Sequence, residues 1–122
     1  MRLPLLILTI AVFLISSPVL AHHGGGSLYD MTKETTVKAT ITDYVWTNPH
    51  VEISFDAAPK DGGKHWVLEA PPPNRMLNWG WTRKSLHPGD AVTVTFNASK
   101  RGSNAGYLIK VVLPSGQELR RE

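Results

Sequence analysis

His22 and His23 directly follow a leader-like stretch, and cleavage after Ala21 would give His22 a free α-amine. An amine and an imidazole on one residue can chelate a transition metal, and a second imidazole from His23 or His50 would complete a nitrogen-rich site. Such donors suit copper, zinc and nickel, with copper favoured on affinity. Cleavage one residue earlier would place a histidine third, in Ala21-His22-His23, a spacing that also suits Cu(II) and Ni(II). Ordering a tail that carries Gly24-Gly25-Gly26 costs entropy and works against affinity. Two carboxylates extend the donor set. The strand pairing that best matches apolar faces sets Glu52 opposite Glu69, with His50 one step along the same face. Opposed carboxylates repel unless a cation, Lys38 or Arg75 supplies positive charge. His22, His23, His50, Glu52 and Glu69 are therefore the candidate ligands for copper or zinc. A salt bridge or a solvated face is the plain alternative for the two glutamates, and Asn48-Pro49-His50 equally suits a hydrogen-bonded connection. His65 and His87 sit beside turns and read as exposed loop or edge residues.

A second candidate site is aromatic. Trp46 falls on the outward face of its strand, and Trp79 and Trp81 flank Gly80 after a short helix. Together they could stack a sugar ring or another flat ligand, or simply close the end of a barrel. Trp66 reads as core. Met76 is either a soft ligand for Cu(I) or a core filler. No Gly-x-Ser-x-Gly elbow, His-Glu-x-x-His helix or phosphate-binding glycine loop is present, and cysteine is absent altogether. Glu52 with Glu69 could serve as a glycosidase acid/base pair, and His22 could serve an oxidase, but a chain of this size offers little cleft. The expectation is a binding protein and not an enzyme.

Residues 1–21 have the parts of a secretory signal: Arg2, an apolar run over 3–15, then Ser16-Ser17-Pro18 ahead of Val19-Leu20-Ala21. An uncleaved membrane anchor is the competing reading, and Pro18 with the following glycines favours cleavage, leaving no stable membrane insertion. The expected location is periplasmic or secreted. Without cysteine the domain has neither a disulfide staple nor a thiolate metal site. Removing Arg2 from a formal net charge of +3 leaves +2, too balanced a surface for a dedicated nucleic-acid binder. Residues 22–34 read as a flexible His/Gly-bearing segment and 35–122 as one folded domain.

Alternation defines the elements that position these groups. Over 36–46 the apolar positions Val37, Ala39, Ile41 and Val45 share one face, with Lys38, Thr40, Thr42, Tyr44 and Trp46 on the other. Over 50–56 Val51, Ile53 and Phe55 point inward. A turn-rich loop over 57–63 leads to a third strand over 64–70. Pairing core with core then sets Phe55 against Trp66, Ile53 against Leu68 and Val51 against Ala70. Pro71-Pro72-Pro73 ends that strand, and Asn74 is placed to cap a short helix toward Trp79. Strands over 91–97 and 107–113 follow, then a short terminal extension. Three strands, a helix and two strands match a small five-stranded OB-like Greek-key barrel; an immunoglobulin-like sandwich would need about seven strands.

On these residues the chain resembles a family of small secreted bacterial proteins of unknown function. The shared features are the His22-His23-Gly24 start, Tyr29-Asp30, Trp46-Thr47-Asn48-Pro49-His50, Trp66-Val67-Leu68-Glu69, Gly80-Trp81, and Leu86-His87-Pro88-Gly89-Asp90 running into Ala91-Val92-Thr93-Val94. The resemblance implies an exported β-domain and brings no catalytic residue. In that family a serine commonly follows the histidine pair, where this chain has three glycines.

Overall fold

The computed structural model describes residues 28–122. The expected leader, the cleavage site and the pair His22-His23 lie outside the described residues. The elements run β1 (Thr35–Val45), β2 (Glu52–Ala57), β3 (His65–Glu69), α1 (Pro73–Asn78), β4 (Ala91–Ala98), β5 (Ala105–Val112) and β6 (Glu118–Arg120). The strands lie in the order β3-β2-β1-β4-β5-β6, and β3 also pairs with β5 in parallel. That last pairing closes five strands into a mixed barrel, the expected OB-like architecture. The terminal extension adds β6 beside β5.

Period-two alternation on strands with one buried face fixes the core. Val37, Ala39, Ile41, Val51, Ile53, Phe55, Leu68, Val92, Val94 and Phe96 pack in a single cluster. The β2–β3 register is the expected one, with Phe55 opposite Trp66, Ile53 opposite Leu68 and Glu52 opposite Glu69. Barrel closure depends on Gly106, which faces Leu68 across the β3–β5 seam. A Cβ there would lie 2.7 Å from Phe96 Cδ2 and 2.9 Å from both Asn97 O and Leu68 Cδ2. Only a residue without a side chain lets the two strands approach this closely.

β1 departs from simple alternation. Its register with β2 shifts between Ile41 and Asp43, so Thr42 is an extra residue and every later side chain changes face. Tyr44, expected outward, stands opposite Ile53 and packs on the core, whereas Val45, expected inward, stands opposite Glu52 and is 37% exposed. Trp46 follows Tyr44 and packs partly on the core as well.

At the helix, Asn74 is not the cap. Pro72 occupies that position without a side-chain hydrogen bond, and Pro73 begins the helix. Pro73 has no N–H to satisfy and a backbone preset for helix, and the Arg75 and Met76 N–H groups both donate to Pro72 O, at 3.0 and 3.1 Å. α1 buries Met76, and the following loop buries Trp81 and Leu86, which close one end of the barrel.

Candidate functional site

Glu52 and Glu69 are directly opposed on the outer surface of β2 and β3, and parallel pairing sets Tyr107 of β5 beside Glu69. The segment before β1 crosses this surface. The Asp30 N–H donates to Ala98 O at 2.9 Å, the Lys100 N–H donates to Leu28 O at 3.0 Å, and Tyr29 forms a bridge with Ser99. The buried Asn97 amide donates to Lys33 O at 2.8 Å. The described part of the segment expected to be flexible is thus hydrogen-bonded to the barrel.

Its consequence is the position of Tyr29. The phenol donates to Glu69 Oε2 at 3.1 Å, and the ring lies 5.8 Å from that of Tyr107. Burial, then the Glu69 charge and hydrogen bond, push the Tyr29 phenol up to about 12, so it stays a donor through neutral pH. The Arg121 guanidinium stacks 4.9 Å over the Tyr107 ring. Arg75, reached from Glu69 through the three prolines, stacks 5.4 Å over Trp79. Burial also raises the Tyr107 phenol, with Glu69 adding to the shift and Arg121 and Arg75 opposing it.

The two glutamates differ in their partners. Glu69 accepts from Tyr29, while the Glu52 carboxylate forms no hydrogen bond or ion pair among the described residues. Neither candidate countercharge forms an ion pair with them: Lys38 of β1 stands opposite Thr93 of β4, just beyond the Ala39–Ala57 end of the β1–β2 ladder and so away from Glu52, and Arg75 lies over Trp79. His50 immediately precedes Val51, and its Nδ1 is buried without a hydrogen-bond partner. His65 and His87 are exposed, as expected; His65 Nδ1 lies 2.6 Å from Asp56 Oδ1 and His87 Nδ1 3.7 Å from Asp90 Oδ2. Among the described residues no group of three or more His, Cys, Asp or Glu side chains is arranged to hold a metal ion.

A family model described as a family of unknown function, DUF6152, matches residues 11–108. The chain belongs to this family. Searches of curated proteins and of solved structures each find no match. The DUF6152 match spans His22, His23, Tyr29, His50, Glu52, Glu69, Arg75 and Tyr107, and ends before Arg121.

In this DUF6152 chain the three candidate tryptophans do not form one exposed platform. Trp81 is fully buried and its indole N–H donates to Arg120 O at 2.7 Å. An open barrel end needs a large apolar plug, and this indole also finds the partner that burial demands. Trp46 is half-buried with its ring 6.0 Å from Tyr44, a result of the shifted face beyond Thr42. Trp79 is half-buried beneath Arg75. The residues that do converge are Tyr29, Glu69 and Tyr107 with Arg121 beside them. Tyr29 and Tyr107 carry no sequence mark of a site beyond their type: Tyr107 is an aromatic residue at a polar-facing strand position, and Tyr29, buried here, precedes the first strand. A shallow groove of about 430 Å³ elsewhere on the barrel is lined by Lys38, Thr40, Ala91, Thr93, Val112 and Pro114. Lys38 is the single ionisable group in that lining.

Proposed function

We propose that this chain is an exported binding protein that holds one copper or zinc ion through its processed N-terminus, beside the Glu52–Glu69 pair. The observation that carries the reading is the Tyr29–Glu69 hydrogen bond. It anchors the backbone seven residues after His22 to the surface that presents the two carboxylates. Seven residues reach at most about 25 Å, which leaves His22 and His23 within range of Glu52 and His50. Glu69 then serves as the anchor for the segment, and Glu52, whose carboxylate has no partner among the described residues, is the one offered to the metal. His50, with an unbonded Nδ1, is the nearest imidazole of the folded domain in sequence. The α-amine and the imidazoles of His22 and His23 supply the nitrogen donors, for which copper has the highest affinity of the divalent ions considered. The role is binding and not catalysis.

The test uses protein secreted and processed naturally, without a tag. Cu(II) added to it should give an electron paramagnetic resonance spectrum with nitrogen hyperfine structure. His22→Ala or one extra N-terminal residue should change that spectrum and weaken binding, and Glu52→Gln should weaken it less. Identical spectra from the processed, extended and His22→Ala proteins would overturn the reading.

A further inference from the structure

The groove on the outer face of β1, β4 and β5 carries an inference that does not rest on the metal reading. Its floor is a row of side chains across three strands: Lys38 of β1 stands opposite Thr93 of β4, which in turn stands opposite Val112 of β5. Thr40 opposite Ala91 extends that floor by one further pair on the same face. The walls are Ala58, in the turn after β2, and Leu113-Pro114, in the turn after β5. Hydrogen bonds hold both walls. The Ala58 N–H donates to Lys38 O at 2.7 Å, and the β5–β6 hairpin is closed by Leu113 N–H on Gln117 O and Gly116 N–H on Leu113 O, each at 2.9 Å. At about 430 Å³ this preformed groove falls within the size range of small-molecule sites. Ala58, Ala91, Val112 and Pro114 give it apolar surface, and Lys38 is the single ionisable group in the lining. Lys38 is exposed, and its ammonium forms no hydrogen bond or ion pair among the described residues. The Asp61 carboxylate beside it accepts from the Lys38 backbone N–H, at 2.7 Å, and not from the amine. The Thr93 hydroxyl has no hydrogen-bond partner among the described residues either.

We propose that this groove binds a small amphipathic monocarboxylate, with the carboxylate on Lys38 and the Thr93 hydroxyl and the apolar body along Ala91, Val112 and Pro114. Directly opposed residues on one sheet face have Cβ atoms about 4.5 to 5.5 Å apart, so the two oxygens of one carboxylate meet both donors. Charge complementarity sets the head group: one lysine in an otherwise uncharged lining matches one negative charge. An exposed ion pair is weak by itself, and Asp61 tempers the attraction further, so the apolar body is a necessary part of the ligand. Its removal from water against the alanine, valine and proline surface supplies the rest of the affinity.

Hexanoate, acetate and 1-hexanol, titrated separately at constant ionic strength into protein expressed from the full-length sequence, test the site by proton–nitrogen NMR of the Lys38, Thr93 and Val112 amides. Hexanoate should give saturable shifts at all three and bind more tightly than acetate, which is the head alone, or hexanol, which is the body alone. Lys38→Gln should weaken hexanoate about three- to fivefold, the scale of a solvent-exposed ion pair, and leave hexanol unchanged. Thr93→Glu sets a carboxylate directly opposite Lys38 and should weaken hexanoate at least as much. Arg101→Gln, in the loop at the other end of β4, should leave binding unchanged. Non-saturating shifts, hexanol binding as tight as that of hexanoate, wild-type hexanoate affinity in Lys38→Gln or Thr93→Glu, or equal weakening by Arg101→Gln would overturn the proposal. Shifts at the same amides on dilution without ligand would show that a second copy of the chain covers the groove, and would also overturn it.

Discussion

Replacing Gly106 with alanine should destabilise the barrel, although Gly→Ala ordinarily stabilises a compatible site by about 0.4 to 1 kcal/mol through the unfolded chain. The added Cβ would stand 2.7 Å from Phe96 Cδ2 and 2.9 Å from Asn97 O and Leu68 Cδ2. Phe96 and Leu68 are fully buried and Asn97 O belongs to the β4 backbone, so no flexible side-chain end can yield. Forcing one methyl group into such packing costs about 1 to 3 kcal/mol. Subtracting the chain-entropy gain leaves a net loss centred on about 1 kcal/mol and no larger than about 2.6 kcal/mol. Urea unfolding should therefore show a lower midpoint with an unchanged slope. Because Tyr107 is the next residue and pairs with Glu69, the variant should also disturb the Tyr29–Glu69–Tyr107 contacts, read as altered near-ultraviolet circular dichroism. A variant as stable as the parent, or more so, would refute the closeness of the β3–β5 seam.

Tyr29→Phe should cost about 1 to 2 kcal/mol in urea melts by removing the donor to Glu69; no loss would mean that the bond does not form in solution. Since the folded Tyr29 phenol is raised to about 12 from the ordinary 10.0, its contribution is fully present below pH 10 and lost as pH rises toward 12. The alkaline loss of stability should be shallower in Tyr29→Phe than in the parent. Glu52→Gln should stabilise the metal-free protein by about 0.5 kcal/mol at neutral pH by relieving cross-strand repulsion, and a destabilisation would point to an unrecognised partner for Glu52. Tyr44→Ala should cost about 3 kcal/mol and Val45→Thr less than about 0.5 kcal/mol; the reverse order in thermal or urea unfolding would contradict the bulge at Thr42.

The barrel is readable in the sequence where one strand face is buried along its whole length. Val51, Ile53 and Phe55 on β2 and Val92, Val94 and Phe96 on β4 alternate without interruption, and matching their faces sets Glu52 opposite Glu69. The bulge is not readable, because Thr42 lies among other threonines and polar residues that suit a strand equally well. One extra residue is enough to exchange the faces of Tyr44 and Val45 and to turn Trp46 toward the core. Trp81, in a loop beside Gly80, carries no local mark of burial; the need for a plug arises only once the barrel closes. The convergence of residues 29, 69, 107 and 121 is hidden for the same reason. It depends on closure between β3 and β5, two strands far apart in sequence, and on a segment before β1 whose hydrogen bonds go to Ala98 and Asn97.

Native mass spectrometry of the untagged protein, expressed from the full-length sequence, equilibrated with Cu(II) and freed of excess metal, tests most directly whether the proposed processed N-terminus binds. The expected mass is that of a chain beginning at His22 and carrying one copper ion, with the ion lost in His22→Ala. A chain that begins at His22 and retains no copper, or that retains it equally in His22→Ala, would contradict the proposed function.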